Sequence, residues 1–403
     1  MKRDLKKIIS QMTLEEKAGM CSGLDFWHLK SVERLGIPEV MVSDGPHGLR
    51  KQDDKGDHLG MNDSIKAVCF PPAALSACSF DRELMESMGE TIGREAQAND
   101  VSVVLGPAVN IKRSPLCGRN FEYYSEDPYL SGTMSVASTG GIKDGGAWGT
   151  IKHFALNGQE SHRFKIDAVC SERAIRQIYL KSFEMAVKAG TVKTLMTAYN
   201  PINGHWAASN YDLCTTILRN EWGYDGIVMT DWWAKMNDVV EGGEESNQDT
   251  RDMVRSQNDV YMVVNNNGAE VNSNNDNTEE SIKEGRLTIG ELQRAAINIC
   301  NFILSAPVIE RELVDTDVAK HYDSVPNDQA KYEVSNIEKD NKVMFNSGAE
   351  ATLEVEDEGE YTIIVNISFD KSNLSQSTVN VNANGTTMVV IQTNGTDGNW
   401  ITQ

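Results

Sequence analysis

Short apolar runs alternate with amphipathic helical stretches through the first three-quarters of the chain. That rhythm restricts the fold to an α/β architecture built on a parallel sheet. The runs fall at 40–44, about 67–70, 101–105, 150–154, 195–199, 226–230 and 259–264. Gly45-Pro46 stops the first and Pro71-Pro72 the second. Between them, helices are expected at 81–98, from Glu172 to about Ala189, at 209–221 and from Ile289 to Leu304. Thr13-Leu14-Glu15-Glu16 is a capping box that opens an earlier helix into the mid-20s. Seven strands are thus in place. An eighth would close a TIM-like (β/α)8 barrel, but no run marks it, and a doubly wound sheet is the alternative.

The rhythm stops near residue 305. Residues 306–342 read as an irregular polar linker, and 343–403 as a small all-β sandwich module whose last strands look missing. Ala351–Glu356, Tyr361–Val365, Val379–Asn382 and Met388–Ile391 are its apolar or alternating runs. Asn384-Gly385 and Asn394-Gly395 are hairpin turn signals. Sequons such as Asn384-Gly385-Thr386 read as turns. Within the barrel region, 241–256 and 264–278 are polar stretches that cannot supply a core and read as rim loops or linkers.

A net charge of −21 repels phosphate backbones and excludes nucleic acid as a partner. The seven cysteines are scattered and form no CxxC, so neither a zinc site nor a disulfide framework is indicated. Reduced thiols suit a cytoplasmic enzyme. Met1–Lys7 lacks the apolar core of a signal peptide, and no run reaches the roughly 20 apolar residues of a membrane span.

Polar side chains collect where strands give way to loops: Asp44, Lys152 with His153, Tyr199 and Asp231. In a parallel barrel those ends share the face that holds the active site. Asp231 is followed by Trp232 and Trp233, a carboxylate beside flat aromatic surface, which suits a sugar. Each residue also has a plain structural role open to it. Asp44 could cap a turn, Arg119 could pair with Glu122 or Glu126, His153 could be a core histidine, and the tryptophans could be packing.

Taken together, these segments resemble glycoside hydrolase family 3, the β-glucosidase family. Ser43–Arg50 resembles its first-strand motif, and Cys117–Glu122 with Ser125–Pro128 its arginine loop. Lys152-His153-Phe154 with Asn157, Gln159, Glu160 and Arg163 resembles its Lys-His motif. Met196–Asn200 with Asn203-Gly204 resembles its tyrosine strand, and Thr230-Asp231-Trp232 its nucleophile strand. The five occur in family order over about residues 10–305. The resemblance implies a retaining exo-acting β-glucosidase that needs no cofactor or metal. It would remove glucose from β-glucosides or cello-oligosaccharides, with Asp231 as nucleophile. Asp44, Arg119, Lys152, His153, Tyr199, Trp232 and Arg163 would bind substrate. The charges of Lys152 and His153 would hold hydroxyls, Tyr199 would donate to Asp231, and Trp232 would wall the leaving-group subsite.

Two departures bear on the acid/base. The single-domain branch of the family carries a catalytic histidine in a Pro-Gly-His-Gly loop, whereas this chain reads Phe154-Ala155-Leu156-Asn157-Gly158-Gln159. Neither His153 nor His162 takes that part. The β-glucosidase branch takes a glutamate from an α/β-sandwich domain, which the residues after 305 do not resemble. Ala234–Asp238 and the Asn-rich loop resemble the family's reversed-domain-order group. The expected partner is therefore an α/β-sandwich domain on another chain or upstream. The competing functions are a catalytically impaired carbohydrate-binding fragment, a β-xylosidase-type specificity, and a barrel aldolase or lyase using Lys152.

Overall fold

The computed structural model describes residues 4–52, 64–262, 268–272 and 274–310, and the strand backbone at 366–367, 377–383, 386–393 and 401–402. The chain divides into two compact units, Met1–Tyr322 and Asp323–Gln403. In the first, the described strands are β1 (His28–Leu29), β2 (Val40–Asp44), β3 (Val101–Leu105), β4 (Trp148–Phe154), β5 (Thr194–Thr197), β6 (Pro201–Ile202), β7 (His205–Trp206), β8 (Ile227–Met229), β9 (Met236–Asp238) and β10 (Gly242–Ser246).

The main sheet runs β1-β2-β3-β4-β5-β8, parallel throughout except for the antiparallel β1–β2 pair. Strands β3, β5 and β8 are buried along their whole length, as expected of parallel strands covered on both faces. Single bridges then carry the pairing onward. Met229 pairs with Val260, Tyr261 with Ser22, and Gly23 with Leu29, which returns to β1. This explains why the capped helix is shorter than expected. Leu14–Met20 forms behind the Thr13/Glu16 box, but Ser22 and Gly23 are taken into the sheet.

The expected strand at 67–70 is absent. There, Val68 donates its N–H to Glu95 Oε1 at 3.1 Å, and Phe70 donates to the His47 carbonyl at 2.8 Å. These side-chain and loop acceptors replace a ladder. The polar stretch 241–256 also departs from a plain loop, since it contains β10 and a short helix, Thr250–Arg255. The second polar stretch lies partly outside the described residues.

The helices at Arg82–Ala98 and Ile289–Ser305 match expectation. The helix after Glu172 is interrupted by a wide π-type turn over Ile175–Tyr179 before Lys181–Ala189. The helix expected at 209–221 is wide-turned over Asp212–Glu221. A helix not anticipated, Pro128–Gly145, packs on Arg82–Ala98 through glycines of both. A methyl group at Gly141 would land on the Glu86 carbonyl oxygen, and one at Gly89 on that of Ser138.

In the second unit, the described strands are β11 (Asn366–Ile367), β12 (Ser377–Ala383), β13 (Thr386–Thr393) and β14 (Ile401–Thr402). β12 and β13 pair antiparallel and close on Ala383 with Thr386, so Asn384-Gly385 lies between them. β11 pairs antiparallel with β14. The runs 351–356 and 361–365, the second Asn-Gly at 394–395 and the stretch 311–342 lie outside the described residues. Among the described residues, no helix is long and apolar enough to cross a membrane.

Candidate active site

The parallel strands end on one side of the sheet, and the sequence places chemistry at those ends. Asp44 closes β2, Lys152 and His153 lie near the end of β4, Tyr199 follows β5, and Asp231 follows β8. Arg119 comes from the loop after β3 and Arg163 from the loop after β4. All seven are drawn into one connected constellation.

Asp231 is only 8% exposed. Its Oδ1 accepts the Trp232 backbone N–H at 2.8 Å, and its Oδ2 faces His153 Nε2 at 3.7 Å. Burial raises its pKa above the ordinary carboxylate value, although Arg119, the Trp232 N–H, Lys152 and Arg163 all pull it down. A carboxylate with little water and three cations around it keeps its basicity while remaining able to ionise.

Asp44 sits between two cations. Lys152 Nζ lies 3.4 Å from Oδ1, and Arg50 donates to Oδ2 at 3.3 Å. Burial opposes its ionisation, but Lys152, Arg50 and the Gly45 N–H outweigh burial and hold its pKa below the usual value. Lys152 also faces Glu122 Oε1 at 3.4 Å. Arg119 donates from Nε to Glu122 Oε2 at 2.6 Å and lies 5.9 Å from the Tyr123 ring centre. Burial works against the charge of Arg119, but Glu122, Tyr123, Asp231 and Glu160 together raise its pKa and keep it protonated. Arg163 pairs with Glu160 at 2.6 Å and stacks over Tyr199 at 4.7 Å from the ring centre.

Three expectations change in detail. His153 does not bring positive charge. Its ring is buried, and burial followed by Arg119, Lys152 and Arg163 pushes its pKa well below the ordinary histidine value. Asn110 grips it from both ends. Asn110 Oδ1 accepts the His153 N–H at 2.8 Å and faces Nδ1 at 3.3 Å, while Nδ2 donates to the His153 carbonyl at 2.8 Å. The Tyr199 hydroxyl donates to the Trp232 carbonyl at 2.7 Å as well as meeting the Asp231 carboxylate; burial, and then the charge of that carboxylate, raise its pKa. Finally, Trp232 is 7% exposed; its Nε1 donates to the Phe26 carbonyl at 3.1 Å and its ring packs on Phe26 and Trp27. Trp233 is the more open indole, 41% exposed at φ 58°, with its ring 5.7 Å from that of Phe26.

Sequence reasoning missed Asn110 and Arg50 as members of the site and gave Glu122 only a bland role. The i,i+3 spacing of Arg119 and Glu122 was the one local signal for that pair. Among the described residues no group of side chains could hold a metal ion.

Residues 29–302 match the family described as glycosyl hydrolase family 3 N-terminal domain. The chain is 46% identical over 319 residues to thermostable beta-glucosidase B of Acetivibrio thermocellus, covering 79% of this chain and 40% of that protein. It is 39% identical over 345 residues to an exo-alpha-(1->6)-L-arabinopyranosidase of Bifidobacterium breve, covering 84% and 43%. A solved beta-glucosidase from Paenibacillus barengoltzii superposes with a TM-score of 0.71 at 42% identity, covering all of this chain and 44% of that one. The chain spans about two fifths of the length of the curated relatives it matches.

Proposed function

The chain belongs to glycosyl hydrolase family 3, and from that premise we propose that it is the nucleophile-bearing part of a retaining, exo-acting β-glucosidase. The observation that carries this reading is the buried Asp231 carboxylate at the end of β8, ringed by Arg119, Lys152 and Arg163. The closed circuit of pairings supports a (β/α)8-type barrel with a remodelled first unit. The barrel is taken as 1–305, followed by a linker at 306–342 and a β-sandwich module at 343–403.

Asp231 attacks the anomeric carbon, the bond to the leaving-group oxygen breaks, and a glycosyl ester forms on the aspartate. An acid protonates the departing oxygen. The same group, now a base, takes a proton from water, which attacks the anomeric carbon, releases glucose and frees Asp231. The acid/base glutamate belongs to an α/β-sandwich domain outside the described residues; the greater length of the relatives supports this. Asp44 accepts from distal sugar hydroxyls, and Arg119, Lys152 and Arg163 donate to them. His153, as a neutral ring, offers a hydrogen bond without adding charge. Tyr199 steadies the Asp231 backbone, and Trp232 backs the leaving-group side. No cofactor takes part. The seven free cysteines favour a reducing, cytoplasmic setting.

An aryl β-glucoside with a dinitrophenyl leaving group tests the reading, because that group departs without acid help. A burst of phenolate with a glycosyl adduct on Asp231 is the expected result. Glucose binding without any burst would instead leave a carbohydrate-binding fragment. The arabinopyranosidase relative favours one further reading, a pentopyranoside specificity. Relative rates on aryl β-glucoside, β-xyloside and α-L-arabinopyranoside decide between them.

A further inference from the structure

Glu122 stands between two cations of the site, Arg119 and Lys152. Its Oε2 accepts from Arg119 Nε at 2.6 Å and lies 2.5 Å from Arg119 Nη2, which fixes the plane of the guanidinium fork. Its Oε1 faces Lys152 Nζ at 3.4 Å. Lys152 continues to Asp44, and Asp44 to Arg50. The result is a row of alternating charge, Arg50–Asp44–Lys152–Glu122–Arg119, laid across the ends of β2 and β4 and the loop after β3.

Within that row, Asp44 and Arg50 keep about a third of their side chains exposed, whereas the Glu122 side chain is 6% exposed. Burying a carboxylate is costly unless its partners are held in good geometry, and breaking such a site strands the remaining charges. Asp44 is open enough to meet a ligand. Glu122 is buried, and its carboxylate is ion-paired to the two cations. Arg119 arises from the loop after β3 and Lys152 from β4 itself, and among the described residues the Glu122 carboxylate is the one ion-paired to both.

We propose that Glu122 is a positioning residue of the glycosidase site, holding Arg119 and Lys152 at a fixed separation so that both donate to one glycosyl unit in front of Asp231. This rests on the glycosidase reading above. Glu122 touches no reacting atom and acts only through the two donors. Contacts of that kind bind ground state and transition state alike, so their loss falls on binding more than on the chemical step.

The test uses dinitrophenyl 2-deoxy-2-fluoro-β-glucoside on the whole chain. The phenolate burst gives KI for sugar binding and kinact for the attack by Asp231. Glu122→Gln is expected to raise KI about tenfold while changing kinact by less than about threefold. Glu122→Asp keeps the charge on a shorter arm and is expected to recover part of the lost KI. A KI within about twofold of wild type in both variants overturns the proposal, as does a loss confined to kinact. Should Glu122→Gln fail to fold by circular dichroism, Glu122→Asp alone decides: a raised KI supports the proposal and an unchanged one overturns it. A wild-type chain with neither burst nor adduct on Asp231 overturns the glycosidase reading and this inference with it. Normal labelling with unaltered variant KI overturns the role of Glu122 alone.

Discussion

His153 brings its Nε2 to 3.7 Å from Asp231 Oδ2, and the contact is one between a neutral ring and a carboxyl group. Burial, then Arg119, Lys152 and Arg163, keep the folded ring from taking up a proton that the unfolded chain binds near pH ~6.5. Stability from this group therefore falls as pH drops through ~6.5 and goes on falling towards the lower folded pKa. His28 has the opposite sign. Its hydrogen bond to Asp25 raises its pKa, so its contribution is full below ~6.5 and fades as pH rises through the folded value. Imidazole NMR at about pH 6 should find His153 neutral and His28 protonated. A protonated His153 at that pH would contradict the charge assignment.

Asp231→Asn should separate catalysis from stability. Turnover is expected to fall about 10⁴-fold, as for other removed nucleophiles. Burial has raised the folded pKa of Asp231, so its charge near neutrality works against the folded state, and that cost is relieved as pH falls through the folded value. The melting temperature of the variant at neutral pH should be unchanged or higher by about 1–3 °C. A lower melting temperature would show that pairing with the three cations outweighs burial.

The neighbouring tryptophans should respond differently. Trp232 is packed against Phe26 and Trp27, so Trp232→Ala should cost about 3–5 kcal/mol of stability. Trp233 presents more surface, and Trp233→Ala should cost less than about 1 kcal/mol. If Trp233 offers a stacking face to the aglycone, its loss weakens cellobiose binding about three- to tenfold with little change in glucose binding. Chemical unfolding of both variants, with calorimetric binding of cellobiose and glucose, checks these outcomes.

Arg219 and Asp259 form a buried pair against β8, with Nη2 and Oδ2 2.5 Å apart. Asp259 also accepts the Val228 N–H at 2.9 Å and an Asn298 amide at 2.9 Å. Removing the cation in Arg219→Met leaves a buried carboxylate without its charged partner, at a cost of about 3–5 kcal/mol. The urea midpoint should fall accordingly. Activity should fall with it even below the midpoint, because β8 carries Val228 in the same chain segment as Asp231.

Strands such as β3 and β8 were legible because burial on both faces leaves a nearly continuous apolar run, interrupted in β3 by Ser102 alone. The site was legible because its residues stand at the ends of those runs in a known order. Other parts left no such mark. Ser22-Gly23 and His28-Leu29 are too short to show a period, so the pairings that complete the circuit were invisible. The helix Pro128–Gly145 contains Gly140-Gly141 and many small polar residues, which leave no clear apolar stripe to read. In the fold those glycines let two helices approach backbone to backbone. Charge neutrality at His153 depends first on burial, which is not written beside it, and only then on cations, of which Lys152 alone is its sequence neighbour. Trp232 and Trp233 look equivalent in sequence, and only packing separates them.

Ser22 and Tyr261 pair across about three-quarters of the length of the first unit. A ribosome therefore completes Asp231 and all its charged neighbours before it delivers the residue that joins the last stave to the first. Until Tyr261 emerges, the nascent strands form an open ribbon with unpaired edges, and long-range pairings of this kind form late. Any competence at this site would thus be a property of the finished circuit: shortening the chain just before Tyr261 removes none of the site's charged side chains and still leaves Asp231 with an incomplete wall behind it.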